Sequence, residues 1–168
     1  MKKTGIFYGS TTGTTKDIAL QLAARFNIHI DDVHDVSNTA PDAVGAYDFL
    51  IMGTSTWGAG EIQDDWYDFL SGVESLDLKG KTIALYGVGD ESMTDTFCDG
   101  LGELYQRLTA TGAKFVGQTD TTGYEFNKSR ALHDGKFVGL VLDEVNKPDL
   151  CDLKLTAWAD ALKPHLAN

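Results

Sequence analysis

Hydrophobic and polar positions follow two periods along this chain, and their alternation predicts a succession of strands and helices. Continuous apolar runs, typical of strands buried on both faces, occupy residues 6–8, 49–52 and 82–86, and a glycine follows each run. Apolar residues then recur at helical spacing after the loops. The predicted helices begin near Thr14, cover residues 64–76, run from Phe97 to near Gly112, and occupy residues 153–166.

Two weaker segments complete the pattern. A short polar strand is predicted within residues 28–36, near a sheet edge, and a fifth strand begins at residues 115–116 and continues at residues 137–142. The polar stretch 119–136 interrupts that strand and is a candidate insertion. The alternation predicts one α/β domain over residues 1–168, a doubly wound, five-stranded parallel sheet of order 2-1-3-4-5 with helices on both faces.

Ligands of such sheets bind beyond the carboxyl ends of the strands, and the first loop there is rich in hydroxyl groups. This loop consists of Ser10, Thr11, Thr12, Gly13, Thr14 and Thr15. The first helical turn leaves backbone N–H groups unpaired, and the helix dipole adds partial positive charge, so the loop is suited to a phosphate. No lysine or arginine lies within residues 6–15, so neutral dipoles would hold the anion. The alternative is an ordinary loop with a helix N-cap.

Two other phosphate motifs do not match. The mononucleotide P-loop needs four residues between its glycines, whereas three separate Gly9 from Gly13. The dinucleotide fingerprint begins at Gly87 but has Ser92 in place of its third glycine.

The second and third loops offer a flat surface and hydrogen-bond acceptors. The second loop contains Ser55, Thr56, Trp57, Gly58 and Ala59, and the third begins with Val88, Gly89 and Asp90. Trp57 is either a stacking platform for a ring or a plug at the top of the core. Asp90 and its neighbouring backbone carbonyls could accept N–H groups of a uracil-like ring edge, or Asp90 could cap a helix.

Composition and net charge exclude several classes of binding partner. The chain has 168 residues, 42% of them hydrophobic, and a net charge of −11. Such an acidic surface disfavours nucleic acid and anionic membranes and favours a basic protein partner. No apolar run approaches the ~20 residues that span a bilayer, and no signal peptide is recognised, so a cytoplasmic protein is expected. Cys98 and Cys151 form no metal pattern and are expected to be free thiols.

These loops together resemble the flavodoxin family, and specifically its long-chain branch. The resemblance covers essentially the whole chain. It depends on residues 9–15, Thr56-Trp57 with Gly60-Glu61, Gly89-Asp90, Phe97-Cys98-Asp99, residues 122–126 and residues 135–140. Flavodoxin is itself an example of the 2-1-3-4-5 strand order.

The resemblance implies one non-covalently bound FMN and a monomeric, low-potential one-electron carrier rather than an enzyme. Residues 10–15 would hold the phosphate, Thr56, Trp57 and Gly58 would cover one flavin face and reach N5, and Gly89 with Asp90 would meet the pyrimidine edge. Ser55, Ala59, Val88, Met93, Phe97 and Cys98 complete the expected contact set. The expected partners are redox proteins: a basic flavoprotein reductase as donor and low-potential oxidoreductases as acceptors.

One departure from the family keeps a second function open. Met93 stands where the family usually has a tyrosine against the outer flavin face, in a loop that is one residue shorter. Methionine can lie against a ring but lacks aromatic stacking. An FMN-dependent NAD(P)H:quinone reductase on the same fold is therefore the alternative. No catalytic or metal-binding set is expected, since His29, His34, His133 and His165 show no ligand spacing.

Overall fold

The computed structural model describes residues 1–167, in which nine strands alternate with four α-helices. The strands are β1 (Thr4–Tyr8), β2 (Val33–Asp35), β3 (Phe49–Trp57), β4 (Glu61–Ile62), β5 (Thr82–Val88), β6 (Lys114–Val116), β7 (Leu132–His133), β8 (Lys136–Phe137) and β9 (Leu140–Leu142). The helices are α1 (Thr14–Phe26), α2 (Trp66–Val73), α3 (Asp99–Leu108) and α4 (Pro148–Leu166). Short 3₁₀ segments lie at Ile30–Asp32, Val36–Asn38, Pro41–Ala46 and Thr109–Thr111.

The central sheet is parallel and confirms the predicted order. Its path is β2-β1-β3-β5-β6, and β9 also pairs with β5, beyond β6 along that strand. Ile51 lies in register with Ile6 on one side and with Ala84 on the other. β6 and β9 together occupy the fifth position, so this position is filled by two short segments on either side of an insertion.

Helices cover both faces of the sheet because its central strands are apolar on both sides. One core cluster packs α2 and α3 against the sheet and includes Phe7, Trp66 and Leu101. The other packs α1 and α4 against the opposite face and includes Leu22 and Trp158. With both faces covered, the carboxyl ends of the strands are where a sheet of this kind binds ligands.

A tyrosine fixes the start of α1 above the sheet. The fully buried Tyr86 of β5 donates its hydroxyl hydrogen bond to the carbonyl oxygen of Thr15, at 3.0 Å. Gly53 on the neighbouring strand leaves space for that ring, since a Cβ there would lie 1.9 Å from the Tyr86 ring. The Gly53 carbonyl also accepts the N–H of Gly9, at 3.2 Å. The first loop is thus held from two strands.

The structure corrects several predicted boundaries. β3 extends to Trp57 and turns back through β4, so Ser55, Thr56 and Trp57 of the predicted second loop are strand. Phe137 belongs to the β7–β8 hairpin of the insertion, and the last strand covers only Leu140–Leu142. α4 begins five residues earlier than predicted, at Pro148, because proline suits the first turn of a helix, where its missing N–H is not needed. Across residues 1–167, no helix has both the length and the apolar character needed to cross a membrane.

Candidate functional site

A cavity of about 350 Å³ lies at the carboxyl edge of the sheet. Four segments line it: the loop before α1, the end of β3, the loop after β5 and the loop after β9. The lining residues are Ser10, Thr11, Thr12, Thr14, Thr15, Ser55, Thr56, Trp57, Gly58, Val88, Gly89, Asp90, Met93, Glu144 and Val145.

One end of the cavity, which we call the hydroxyl end, is formed by residues 10–15. Gly13 caps α1 with a left-handed φ of 98° and has no side-chain capping bond. Its own N–H donates to Ser10 Oγ, at 3.1 Å, which curls the loop toward the helix axis. The N–H groups of the first helical turn have no acceptor within the helix, so this end offers backbone and hydroxyl donors to an anion.

A buried glutamine that sequence reasoning missed supports the hydroxyl end. Gln63 is 2% exposed, and its Nε2 donates to Thr11 Oγ1 at 3.2 Å and to Asp65 Oδ2 at 2.7 Å. Because the Thr11 hydroxyl accepts from Gln63, its own proton is available for an acceptor in the cavity. Gly9 lies against this glutamine, since a Cβ at Gly9 would be 2.2 Å from Gln63 Oε1. Nothing in the local sequence marks Gln63.

The opposite end of the cavity, which we call the ring end, begins with Trp57. This indole is 41% exposed and donates from Nε1 to Ser55 Oγ, at 2.8 Å. Trp57 is therefore a wall of the cavity and not a plug of the core. Gly58 follows with a left-handed φ of 53°, and the Trp57 carbonyl accepts the N–H of Gly60 at 3.1 Å. This tight turn fixes the position of the Trp57 side chain at the end of β3.

The loop after β5 supplies a second wall of the ring end. Gly89 donates its N–H to the Leu142 carbonyl, at 2.9 Å, which ties this loop to β9. The Asp90 carboxylate accepts hydrogen bonds from the Ser92 hydroxyl and from the Ser92 N–H. The Ser92 hydroxyl is the main cause that lowers the pKa of Asp90, with the Asn146 amide contributing, so Asp90 is ionised at neutral pH. Met93 is 49% exposed at the rim.

The loop after β9 supplies a third wall, which sequence reasoning also missed. Glu144 and Val145 line the cavity, and Val145 is 71% exposed. They follow Asp143, which is fully buried at the end of β9. The available signal was topological: an aspartate ending an apolar run lies at the carboxyl edge of the sheet, where the other loops meet.

Most predicted site residues come together in this cavity, but four of them do not line it. Gly13 is the helix cap, and Ala59 is exposed in the turn after Gly58. Phe97 and Cys98, expected as cofactor contacts, are buried behind Gly89, with exposures of 0% and 1%. They fill the core because Gly89 packs on them: a Cβ at Gly89 would lie 2.5 Å from Cys98 Sγ. Burial also raises the pKa of the Cys98 thiol.

A second cavity of about 360 Å³ lies between the insertion and α4. Two of its polar side chains are paired within the protein: Lys154 Nζ donates to the Thr122 carbonyl at 2.7 Å, and Trp158 Nε1 donates to the Gly117 carbonyl at 2.7 Å. Over residues 1–167, no group of three or more histidine, cysteine or acidic side chains is placed to hold a metal ion. The first cavity is therefore the candidate site.

Comparison with known proteins agrees with this fold. The sequence model of the flavodoxin family matches residues 6–158. A flavodoxin from Nostoc sp. is 41% identical over 163 residues, which cover 96% of each chain. Flavodoxin 1 of Escherichia coli is 39% identical over 168 residues, covering 99% of this chain and 96% of that protein. The crystal structure of Fusobacterium nucleatum flavodoxin bound to flavin mononucleotide superposes with a TM-score of 0.90 at 32% identity, covering 99% of each chain.

Proposed function

This chain belongs to the flavodoxin family, and from that premise we propose that its carboxyl-edge cavity binds one FMN non-covalently for one-electron transfer between redox proteins. Bound FMN would supply a ring that accepts and releases single electrons. Support comes from the cavity itself, whose two ends match the phosphate and the flat ring of FMN.

The hydroxyl end fits a phosphate. Ser10, Thr11, Thr12 and Thr14 line it beside the start of α1, whose dipole and open N–H groups favour an anion. Within residues 1–167, no lysine or arginine lines the cavity. A phosphate held here keeps its charge of about −1.5 to −2, because only neutral dipoles meet it.

The ring end fits a flat ring in a negative environment. Trp57 provides an indole face, and Met93 and Val145 provide apolar contacts at the rim. Asp90 and Glu144 add carboxylates to the same walls. These carboxylates and the retained phosphate charge disfavour additional negative charge in the cavity, so the protein makes full reduction unfavourable and sets a low potential.

The exterior of the protein supports exchange with other proteins. The net charge of −11 attracts basic partners and orients them during encounter. The exposed apolar rim of Trp57, Met93 and Val145 lies where electrons would enter and leave. We propose a basic flavoprotein reductase as donor and low-potential oxidoreductases as acceptors. We further propose a single-domain monomer of the long-chain type that works in the cytoplasm and has no enzymatic activity of its own.

The observation that carries this proposal is the junction of a neutral, hydroxyl-rich helix start with an indole wall in one cavity. Titration of the purified apoprotein with FMN should give one tightly bound, yellow equivalent. Potentiometric reduction should then proceed in two separate one-electron steps, the second at the lower potential. A colourless protein that leaves added FMN free would reject the proposal.

A steady-state assay separates the carrier from the quinone reductase that Met93 left open. The holoprotein alone, mixed with NADPH and a quinone, is expected to leave NADPH unoxidised. Rapid NADPH oxidation without a separate reductase would favour the reductase instead.

A further inference from the structure

A buried aspartate outside the cavity connects two of its walls. Asp143 follows β9 and is 0% exposed. Its Oδ1 accepts the N–H groups of Val145 at 3.0 Å and Asn146 at 2.9 Å. Its Oδ2 accepts the N–H of Glu91 at 2.9 Å and Nδ2 of Asn146 at 2.9 Å. Four donors compensate for the burial of this carboxyl group, which would otherwise be unfavourable.

Asn146 continues the connection to the ring end. The same Nδ2 that donates to Asp143 also donates to Asp90 Oδ1, at 2.6 Å. Lys147 Nζ lies 3.5 Å from Glu91 Oε1 and adds an ion pair between the same two loops. The loop after β5 and the loop after β9 are therefore joined at three points, although more than 50 residues separate them in the sequence.

Part of this pattern is local. An aspartate that accepts the N–H groups two and three residues later forms an ordinary Asx turn, and that role alone would explain the bonds to Val145 and Asn146. The bond to the Glu91 N–H is not local, because Glu91 belongs to the loop that carries Asp90 and Met93. Asp143 Oδ2 thus holds the loop after β5, which forms another wall of the cavity.

We propose that Asp143 is a positioning residue that fixes these two loops in the arrangement that receives the flavin ring. The proposal rests on the assignment of the cavity to FMN. Asp143 does not line the cavity, and it acts through Asp90, Met93, Glu144 and Val145, which do. Holding the walls in place before binding lowers the ordering cost of the complex, so the effect belongs to the ring end and not to the hydroxyl end.

The test compares FMN with riboflavin, which has the same ring but no phosphate. In Asp143→Asn, an NH₂ group replaces one carboxylate oxygen and meets N–H donors, so a loop must move. We expect the affinities for FMN and for riboflavin to fall by the same factor, about tenfold or more, leaving their ratio unchanged. Asn146→Ala removes only the bridging amide from an exposed side chain and should lower both affinities about threefold.

Asp149→Asn is the matched control, since it removes one exposed charge from the start of α4 without touching the two loops. It should bind both flavins within about twofold of wild type. Wild-type affinities for FMN or riboflavin in Asp143→Asn, or a loss confined to FMN, would overturn the inference. If Asp143→Asn does not fold, Asn146→Ala decides in the same way. Failure of the wild-type protein to bind FMN would instead reject the proposed function, and this inference with it.

Discussion

The two ends of the cavity are built in opposite ways. The hydroxyl end is one continuous segment, residues 10–15, and it holds donors without a positive charge. The ring end is assembled from Trp57, the loop after β5 and the loop after β9, and it includes the carboxylates of Asp90 and Glu144. The first end is formed by local sequence, and the second exists only because distant segments are brought together by the fold.

This difference assigns a separate task to each end. In the proposed FMN site, backbone and hydroxyl donors at the hydroxyl end would supply affinity for the phosphate. The indole and carboxylates at the ring end would set the contacts and the electrostatic field around the ring. Because riboflavin lacks the phosphate, its affinity reports on the ring end, and the ratio of the FMN affinity to the riboflavin affinity reports on the hydroxyl end.

The largest difference between the effects on FMN affinity and on riboflavin affinity is expected from substitutions in residues 10–15, which form the hydroxyl end. Thr12 and Thr14 both line the hydroxyl end of the cavity, where their hydroxyl groups can donate hydrogen bonds to a bound phosphate. The double variant Thr12→Val with Thr14→Val keeps the side-chain shape and removes two hydrogen bonds to a charged group, worth about 1.5–3 kcal/mol each. Fluorescence titration should show FMN affinity reduced about a hundredfold or more and riboflavin affinity unchanged.

Thr156→Val on α4 is the matched control and should leave both affinities at wild-type values. Equal losses for both flavins in the double variant would show that the two ends are not independent.

A second prediction concerns the packing of Gly89 on the buried Cys98, which supports one wall of the ring end. Gly89→Ala places a Cβ 2.5 Å from Cys98 Sγ, so the loop that carries Asp90 must shift. Overpacking of this kind is unfavourable by about 1–3 kcal/mol, and both flavins should bind about tenfold more weakly. Adding Cys98→Ala removes the sulfur and leaves the Cys98 backbone nitrogen, at 3.2 Å, as the nearest neighbour, so binding should largely recover. If flavin binding does not recover when Cys98→Ala is added, the clash with Cys98 Sγ is not what weakens binding in Gly89→Ala.

A third prediction concerns the outer face of the ring. Met93→Tyr replaces an exposed thioether at the rim with an aromatic ring, which adds about 0.5–1.5 kcal/mol of stacking. Isothermal titration should show FMN and riboflavin bound about two- to tenfold more tightly, by the same factor. A gain for FMN alone would mean that residue 93 acts on the phosphate.

The smallest predicted effect is a difference in pH dependence. The second pKa of a phosphate monoester is about 6, so the hydroxyl end meets a less charged ligand as the pH falls below that value, and FMN affinity should decline several-fold toward pH 5. At the ring end, the lowered pKa of Asp90 keeps its carboxylate ionised until the pH falls below its usual range. Riboflavin affinity should therefore stay constant from pH 8 to pH 5, and a parallel decline would contradict the assignment.

The same contrast explains what the sequence could predict. The strand order and the hydroxyl loop followed from local periodicity and from six consecutive residues. Glu144 and Val145 were missed because they follow the insertion and reach the cavity only through the pairing of β9 with β5. Phe97 and Cys98 were expected in the site, but their side chains lie behind Gly89, because close packing at that glycine is not visible along the chain.

Side-by-side titrations of the wild-type apoprotein with FMN and riboflavin, in the presence and absence of inorganic phosphate, examine both ends of the cavity. We expect FMN to bind much more tightly than riboflavin. We also expect phosphate to compete with FMN but to leave riboflavin binding undiminished, since phosphate occupies only the hydroxyl end. Equal affinities for the two flavins, or competition by phosphate against riboflavin, would contradict a cavity with two separate ends.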